Sequence, residues 1–255
     1  MILAIDIGNT NIVIGAFENN KIVFTERMTT THGSTPLEYA VSIKTALEMQ
    51  NISAEQITGA IISSVVPSVT DSFAKATEKY CKVKPIIVSY KLNTGLNILI
   101  DNPAQLGNDL IVDAVAGINE YPVPQIIIDM GTATTFSVVD RDKNYIGGII
   151  TTGMSVSFNA LVSRTSQLPK IAFELPEKLV GTNTIDCLKS GVMYSTASAI
   201  DGMISRIEED MGEICTVILT GGLAGLIAPL CKSDIIYDDE LLLKGLMIIY
   251  NKNKN

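Results

Sequence analysis

The feature that most constrains the fold of this chain is an internal repeat. Residues 126–140, IIIDMGTATTFSVVD, repeat the pattern of residues 3–17, LAIDIGNTNIVIGAF: an apolar strand, Asp-x-Gly, a short polar turn and another apolar strand. The two aspartates, Asp6 and Asp129, lie 123 residues apart in a chain of 255 residues. The repeat therefore predicts two similar halves, each of which opens with a β-hairpin, and a central cleft between them.

The segments after each hairpin predict mixed sheets covered by helices. In the first half, apolar patterns predict a third strand at 21–27, a helix that begins near Thr35, a buried strand at 59–66 and a helix at 68–80. The helical pattern that follows is interrupted by EYPVP at 120–124. Because such a break is typical of a boundary, we expect an N-terminal half at 1–120 and a C-terminal half at 121–255, both of the α/β class.

The overall charge and the cysteines limit the classes of function. A net charge of −8 and a pI of about 4.7 argue against binding of nucleic acid or of anionic membranes, so a phosphate site has to be local. The four cysteines lack the spacing of a zinc site or of a disulfide framework. The N-terminal apolar run reads as a strand and not as a signal peptide, and residues 217–230 are too short to span a bilayer. We therefore expect a cytoplasmic protein.

The two Asp-x-Gly turns are candidate phosphate loops. A strand that ends in an acid and turns through Gly8 brings backbone N–H groups and the Thr10 hydroxyl near a phosphate, and Asp6 is suited to Mg²⁺. A single turn of this composition is more often an ordinary hairpin turn. Two of them at equivalent places in a duplicated chain favour two phosphate loops that serve one nucleotide.

A third candidate is the Gly221-Gly222 pair, which follows an apolar strand and precedes a helical segment. Glycines at this place allow a ligand such as the adenosine end of a nucleotide to approach the backbone closely, although a plain strand-to-helix turn would have the same composition. The chain contains neither GxxxxGK[ST] nor GxGxxG, so we expect neither a P-loop nor a Rossmann site.

Asp109 is the candidate catalytic base. It follows Gly107-Asn108 and precedes a helical segment at 111–118, where an aspartate is also a common helix cap. Phosphoryl transfer depends mainly on alignment and on charge neutralisation, so one carboxylate that accepts the proton of a hydroxyl is sufficient. His32 is the only histidine and lies in a polar run, which favours a carboxylate over a histidine as the base.

An ordered series of motifs resembles the type III pantothenate kinase family over nearly the whole chain. The motifs are Asp6-Ile-Gly-Asn-Thr10, Asp101-Asn-Pro103, Gly107-x-Asp109, Asp129-Met-Gly-Thr-Ala-Thr134, Gly147-Gly148, Gly153, Leu168-Pro169, Gly181-Thr-Asn-Thr184, Gly191 and Thr220-Gly-Gly-Leu-Ala224. The resemblance implies a duplicated actin/hexokinase-like (ribonuclease H-like) fold and a homodimer. It also implies ATP-dependent phosphorylation of pantothenate to 4′-phosphopantothenate, the first step of coenzyme A synthesis.

The resemblance also implies roles for individual residues. Asp6 would hold Mg²⁺, Asp129 a monovalent cation such as K⁺ or NH₄⁺, and Asp109 would be the base. The remaining nucleotide-binding residues would be Gly8, Asn9, Thr10, Asn11, Gly131, Thr132, Thr134, Gly221 and Gly222. The acceptor would contact Gly107, Asn108, Asp109, Ile100 and Leu110, and Thr184 would reach the acceptor in the partner subunit's site.

The chain departs from the family pattern on the acceptor side. The family usually has an arginine directly after the aspartate and a tyrosine before Asp-Asn-Pro, where this chain has Leu110 and Ile100. The alternative to a pantothenate kinase is therefore a divergent paralogue. It would bind nucleotide but phosphorylate another small hydroxyl compound or serve a regulatory role.

Overall fold

The computed structural model describes residues 1–254, which form two compact units. Unit 1 consists of Met1–Leu96, Asp101–Asn119 and the chain from Leu241 onwards, and unit 2 of Asn97–Ile100 and Glu120–Glu240. The chain thus passes from unit 1 to unit 2 near residue 120. In addition, the C-terminal segment belongs to unit 1, and the four residues 97–100 belong to unit 2.

The strands and helices are as follows in chain order. The strands are β1 Ile2–Ile7, β2 Asn11–Glu18, β3 Lys21–Thr29, β4 Gly59–Ser64, β5 Ile86–Ile87, β6 Asn97–Ile98, β7 Gln125–Met130, β8 Ala133–Val139, β9 Asn144–Thr152, β10 Thr216–Thr220 and β11 Ile235–Tyr237. The helices are α1 Pro36–Met49, α2 Pro67–Cys81, α3 Asn108–Glu120, α4 Met154–Ser163, α5 Thr184–Met211, α6 Ala224–Ile227 and α7 Leu241–Asn253.

Unit 1 is built on a mixed sheet with the strand order β3-β2-β1-β4-β5. The hairpin pairs β1–β2 and β2–β3 are antiparallel, whereas β1–β4 and β4–β5 are parallel. The central strand β1 carries apolar side chains on both faces from Leu3 to Ile5. These side chains are fully buried, as is usual for a strand that is covered on both sides. The predicted hairpin and mixed sheet of the first half are confirmed.

Helix α1 of unit 1 begins at a capping box that Thr35 and Glu38 form. At the start of α1, the N–H of Thr35 donates to the Glu38 carboxylate at 2.6 Å and the N–H of Glu38 donates to Thr35 Oγ1 at 3.4 Å. This reciprocal capping box satisfies two backbone donors and confirms the predicted helix start. The rings of Tyr39 and Phe73, with centroids 4.8 Å apart, then pack α1 against α2.

The last helix, α7, belongs to unit 1 because it packs on β1, β4 and α3. Its Gly245 lies so close to α3 that an added Cβ would be 2.1 Å from the carbonyl oxygen of Val112. Only glycine permits such a backbone approach. A helical pattern near the end of a sequence does not by itself say which sheet the helix covers.

Unit 2 has a mixed sheet with the order β11-β10-β7-β8-β9-β6. Its hairpin, β7–β8, is antiparallel, and β10 pairs with β7 in parallel. The 28-residue helix α5 buries Met193, Ala197 and Ile200 against this sheet. Within residues 1–254, no helix combines the length and the apolar character that a membrane span requires.

Candidate functional site

The first turn, between β1 and β2, is fastened by the side chain of Thr30, which directly follows β3. The N–H of Gly8 donates to the carbonyl oxygen of Asn11 at 3.0 Å, which closes the turn. The Thr30 hydroxyl donates to the Gly8 carbonyl at 2.7 Å, and the Thr30 N–H donates to the Thr10 carbonyl at 2.9 Å. Asn9 and Thr10 remain exposed at the tip. The turn therefore has a fixed backbone and an accessible polar surface, as a phosphate loop requires.

The contact of Thr30 with the first turn is one that the sequence did not reveal. It directly follows β3, and its contact with the turn depends on the pairing of Asn11 with Thr29 in the β2–β3 register. The predicted strand at 21–27 stops short of it. A longer strand prediction, extended through Thr29, would have placed Thr30 beside the turn.

The second turn, between β7 and β8, is fastened by backbone packing. The N–H of Gly131 donates to the carbonyl oxygen of Ala133 at 3.0 Å, and the N–H of Gly153 donates to that of Thr132 at 3.1 Å. A Cβ on Gly153 would lie 2.4 Å from the carbonyl oxygens of both Gly131 and Thr132. No side chain fits at residue 153, so the glycine sets the position of the turn.

In the structure, the Gly221-Gly222 motif lies next to the second turn. Strand β10 pairs with β7 so that Thr220 lies opposite Asp129, and Gly221 follows directly. Gly221 has a φ of 101°, in the left-handed region, and an added Cβ would lie 2.5 Å from Asp129 Oδ1 and 2.6 Å from Met130 N. Glycine is therefore needed at residue 221 for two reasons, the backbone conformation and the contact with the Asp129 carboxylate.

Oxygen-bearing side chains surround Asp129. Its register partners are Thr135 on β8 and Thr220 on β10, which share its face of the sheet. The buried Thr135 hydroxyl has no hydrogen-bond partner among residues 1–254. A carboxylate next to unsatisfied hydroxyl oxygen is a donor set that suits a hard cation.

Asp109 lies in the first turn of α3, in unit 1. The neighbouring Asn108 donates through Nδ2 to the carbonyl oxygen of Ser64 at 3.0 Å, which ties the start of α3 to the end of β4. The register partner of Ser64 is Ile7, the residue that follows Asp6. The structure thus anchors the start of Asp109's helix at the strand ends from which the first turn departs.

The carboxyl group of Asp109 is desolvated. Its Oδ1 accepts the N–H of Leu110 at 2.8 Å, and it lies 2.5 Å from the place that a Cβ on Gly107 would take. Burial raises the pKa of Asp109 above its ordinary value, against the smaller effect of the hydrogen bonds from the backbone. A carboxylate with a raised pKa is a better proton acceptor than an exposed one.

The other predicted residues are dispersed. Ile100 in unit 2 and Leu110 in unit 1 are half-buried, and Thr184 is exposed as the first residue of α5. Among residues 1–254, no group of three or more His, Cys, Asp or Glu side chains could hold a metal ion.

Comparison with known proteins identifies the family. The family model described as type III pantothenate kinase matches residues 2–206. The chain belongs to the type III pantothenate kinase family. A curated relative from Bacillus cytotoxicus, named type III pantothenate kinase, is 43% identical over 253 residues, which cover 99% of this chain and 97% of the relative. The family recognised from the ordered motifs is confirmed.

Solved structures with low identity share the fold. The activator of the 2-hydroxyisocaproyl-CoA dehydratase from Clostridium difficile, solved with bound ADPNP, has a TM-score of 0.56 at 14% identity, with coverage of 98% of this chain and 93% of that chain. A protein from Sinorhizobium meliloti, provisionally named a 2-dehydro-3-deoxygalactonokinase, has a TM-score of 0.61 at 12% identity, with coverage of 100% and 97%. These likenesses show the fold alone, and the expected actin/hexokinase-like α/β fold is confirmed.

Proposed function

We propose that the protein is a cytoplasmic kinase that transfers the γ-phosphoryl group of ATP to the primary hydroxyl of pantothenate, which yields 4′-phosphopantothenate for coenzyme A synthesis. Membership of the type III pantothenate kinase family, which the family model shows over residues 2–206 and a relative shows over 99% of the chain, carries this proposal. The free, reduced cysteines agree with a cytoplasmic location.

Asp109 acts as the general base. As the acceptor hydroxyl attacks the γ-phosphorus, its proton passes to the Asp109 carboxylate, and the bond between the γ-phosphorus and the leaving oxygen of ADP breaks. Burial raises the pKa of Asp109, which brings its proton affinity closer to that required at neutral pH. The bond from Asn108 to Ser64 holds the start of α3, and with it the position of the base. Gly107, Asn108 and Leu110 line the acceptor's path to this carboxylate.

The two turns and the glycine pair hold the nucleotide. Exposed polar groups at Asn9 and Thr10, with the backbone of Gly8 and Asn11, suit the phosphates, and Asp6 at the end of β1 suits Mg²⁺. When bound, Mg²⁺ would neutralise the developing charge on the phosphates. In unit 2, Gly131, Thr132 and Thr134 form the second loop. Gly221 and Gly222 allow the flat adenosine end to approach the backbone.

Asp129 holds a monovalent cation, K⁺ or NH₄⁺. The support is the oxygen-rich surroundings of its carboxylate, in which the buried Thr135 hydroxyl has no hydrogen-bond partner among residues 1–254. A bound cation would satisfy that oxygen and balance the Asp129 charge next to the nucleotide phosphates.

The functional unit is a homodimer in which Thr184 reaches the acceptor in the partner subunit's site. In support, unit 2 exposes large apolar side chains on both sides of Thr184 in the sequence. Val180 is 78% exposed and Ile185 is 48% exposed, with Leu175 and Leu179 close by in the chain. Exposed apolar groups concentrated in one stretch are typical of a subunit interface. A monomer in equilibrium sedimentation would contradict this part of the proposal.

A second candidate function is phosphorylation of another small hydroxyl compound, or nucleotide binding in a regulatory role. The observation that favours it is the apolar character of the acceptor side, where Leu110 and Ile100 are half-buried and offer no cation to the carboxylate of pantothenate. The phosphate side retains all of its expected groups.

Release of ADP in the presence of Mg²⁺ and K⁺ tests the proposal, with pantothenate and a panel of related alcohols as acceptors. We expect pantothenate-dependent ADP release and one phosphate ester per ADP. A preference for another alcohol would favour the second candidate. Nucleotide binding without ADP release on any acceptor would refute the kinase assignment and support a regulatory role.

A further inference from the structure

The hydroxyl group of Ser63 is buried without a hydrogen-bond partner. Ser63 lies on β4 and is 0% exposed, and its Oγ is shielded from solvent and has no hydrogen-bond partner among residues 1–254. An unsatisfied buried hydroxyl is unfavourable for folding, and in a native protein it requires an explanation such as a catalytic role or a bound ion. The surroundings of Ser63 therefore have to show which group completes this hydroxyl.

Ser63 shares a face of the sheet with Asp6. The parallel pairing of β1 with β4 places Asp6 opposite Ser63. The alternate residues of these two strands, among them Leu3, Ile5 and Ile62, belong to the apolar core that also contains residues of α1 and α2. Because side chains alternate between the two faces of a sheet, Asp6 and Ser63 both point to the other face. Adjacent strands are about 4.8 Å apart, so the hydroxyl and the carboxylate are neighbours.

Asp6 is the neighbour that can accept a hydrogen bond from Ser63. The next residue of β4 on the same face, Ile61, is fully buried and has no polar side-chain atom. Asp6 is half-buried, so part of this residue is accessible to a ligand while the rest lies inside the protein. At the separation of adjacent strands, rotation of the two side chains between staggered conformations can bring Ser63 Oγ to the Asp6 carboxylate.

Unit 2 repeats this arrangement of an aspartate and a hydroxyl residue. Strand β10 pairs with β7 in parallel, as β4 pairs with β1, and it places Thr220 opposite Asp129. Thr220 is also buried, with 5% of its surface exposed. A hydroxyl residue thus lies beside the aspartate of each Asp-x-Gly turn, at the equivalent place of the repeat. This recurrence favours a role of the hydroxyl that is tied to the aspartate.

We propose that Ser63 is a positioning residue for Mg²⁺ at Asp6: its hydroxyl donates a hydrogen bond to the Asp6 carboxylate and fixes the orientation in which that carboxylate binds the metal ion. This inference rests on the proposed function, in which Asp6 holds Mg²⁺. Carboxylates that bind metals are usually held by a further hydrogen bond, and loss of such a partner weakens metal binding or activity by about 10–100-fold. The same bond satisfies the buried hydroxyl of Ser63.

A double-mutant cycle tests this role without turnover. The affinity for Mn²⁺, which replaces Mg²⁺ and is detected by EPR, is measured with a non-hydrolysable ATP analogue for the wild type, Ser63→Ala, Asp6→Asn and the double variant. We expect Ser63→Ala to weaken Mn²⁺ binding by about tenfold or more, but by less than about twofold in the Asp6→Asn background. Without metal, Ser63→Ala should unfold at a temperature no lower than that of the wild type, because its hydroxyl has no hydrogen bond to lose.

Thr77→Val is the matched control. The Thr77 hydroxyl is equally buried, but it donates to the carbonyl oxygen of Phe73 at 3.0 Å within α2. This variant should leave the affinity for Mn²⁺ unchanged. The positioning role is wrong if Ser63→Ala weakens Mn²⁺ binding no more than Thr77→Val does, if it weakens it equally in the Asp6→Asn background, or if Asp6→Asn keeps the wild-type affinity.

ADP release with pantothenate, measured on the same proteins, reports on the proposed function separately. If the wild type releases no ADP with any acceptor, the kinase assignment fails, and the Mn²⁺ cycle still decides whether Ser63 positions Asp6. If the wild type releases ADP with pantothenate while the cycle shows no coupling between Ser63 and Asp6, the positioning role is wrong and the kinase assignment stands.

Discussion

The two hairpin turns derive from one repeated pattern, yet they are fastened in different ways. In unit 1, the Thr30 hydroxyl holds the turn by donating to Gly8 at 2.7 Å. In unit 2, Gly153 and Gly221 press against the turn so closely that an added Cβ on either would lie within 2.6 Å of neighbouring atoms. We expect a turn held by a side chain to tolerate small changes better than a turn held by close backbone contact.

The second hairpin is also one residue shorter. Asp6 pairs with Val13, whereas Asp129 pairs with Thr135. The shortening changes which side chain faces the aspartate, from an apolar one to a hydroxyl. On the proposed function, unit 1, which also holds the half-buried Asp109, would carry the general base, and unit 2 would carry the Asp129 carboxylate with its neighbouring hydroxyl groups. The following predictions test this division.

The largest effect is expected for Asp109→Asn in unit 1. Loss of a positioned general base should lower kcat by about 10²–10⁴-fold with little change in ATP affinity. In the wild type, kcat/KM should fall as the pH falls through the pKa of Asp109, which burial places above the ordinary aspartate value. The variant should lack this acid limb. Steady-state kinetics across pH, with ATP binding by calorimetry, provide the measurement.

A purely structural role for Asp109 would give a different result. The variant would then unfold at a lower temperature and keep its turnover per folded molecule, and the acid limb would persist. That outcome would show that Asp109 is not the general base. Unit 1 would then have no catalytic role to compare with the role of unit 2.

Glycine substitutions test the difference in fastening directly. Gly153→Ala places a Cβ 2.4 Å from two carbonyl oxygens, so the backbone of the second turn has to move, at a cost of about 1–3 kcal/mol in the free energy of unfolding. Gly8→Ala meets one carbonyl oxygen at 3.1 Å and should cost less than about 1 kcal/mol. Urea unfolding of both variants gives the comparison, and equal losses would contradict it.

Neutralising the two aspartates tests whether both turns serve one nucleotide. Asp6→Asn and Asp129→Asn should each lower turnover by about tenfold or more, because each removes a carboxylate from a cation-rich site. The two variants should also differ in the cation whose concentration limits the rate. Asp6→Asn should raise the Mg²⁺ concentration that is needed for half-maximal rate, and Asp129→Asn should raise that of K⁺. Unchanged turnover in both variants would refute the model of two loops.

Much of this site could be predicted from the sequence because it lies in local patterns. Asp6, Asp129 and the hairpins that carry them follow from strand and turn composition. The contact of Gly221 with Asp129 could not be predicted in the same way, since it depends on the parallel pairing of β10 with β7 across almost a hundred residues of chain. The return of α7 to unit 1 depends on a close approach at Gly245, which helical periodicity does not encode.

The smallest effect is expected at Thr30, which holds the first turn by its side chain. Thr30→Val keeps the shape of this buried side chain but removes the hydroxyl that donates to Gly8, and a net hydrogen bond contributes about 0.5–1.5 kcal/mol. We expect a loss of that size in the free energy of unfolding and a rise of a few fold in KM for ATP, while the backbone bond from Thr30 to Thr10 keeps the turn in place. Thr45→Val is the matched control, because the Thr45 hydroxyl donates to Val41 within an exposed helix face. If Thr30→Val raises KM for ATP no more than Thr45→Val does, the Thr30 hydroxyl does not set the phosphate loop, and the first turn is held by its backbone as the second one is.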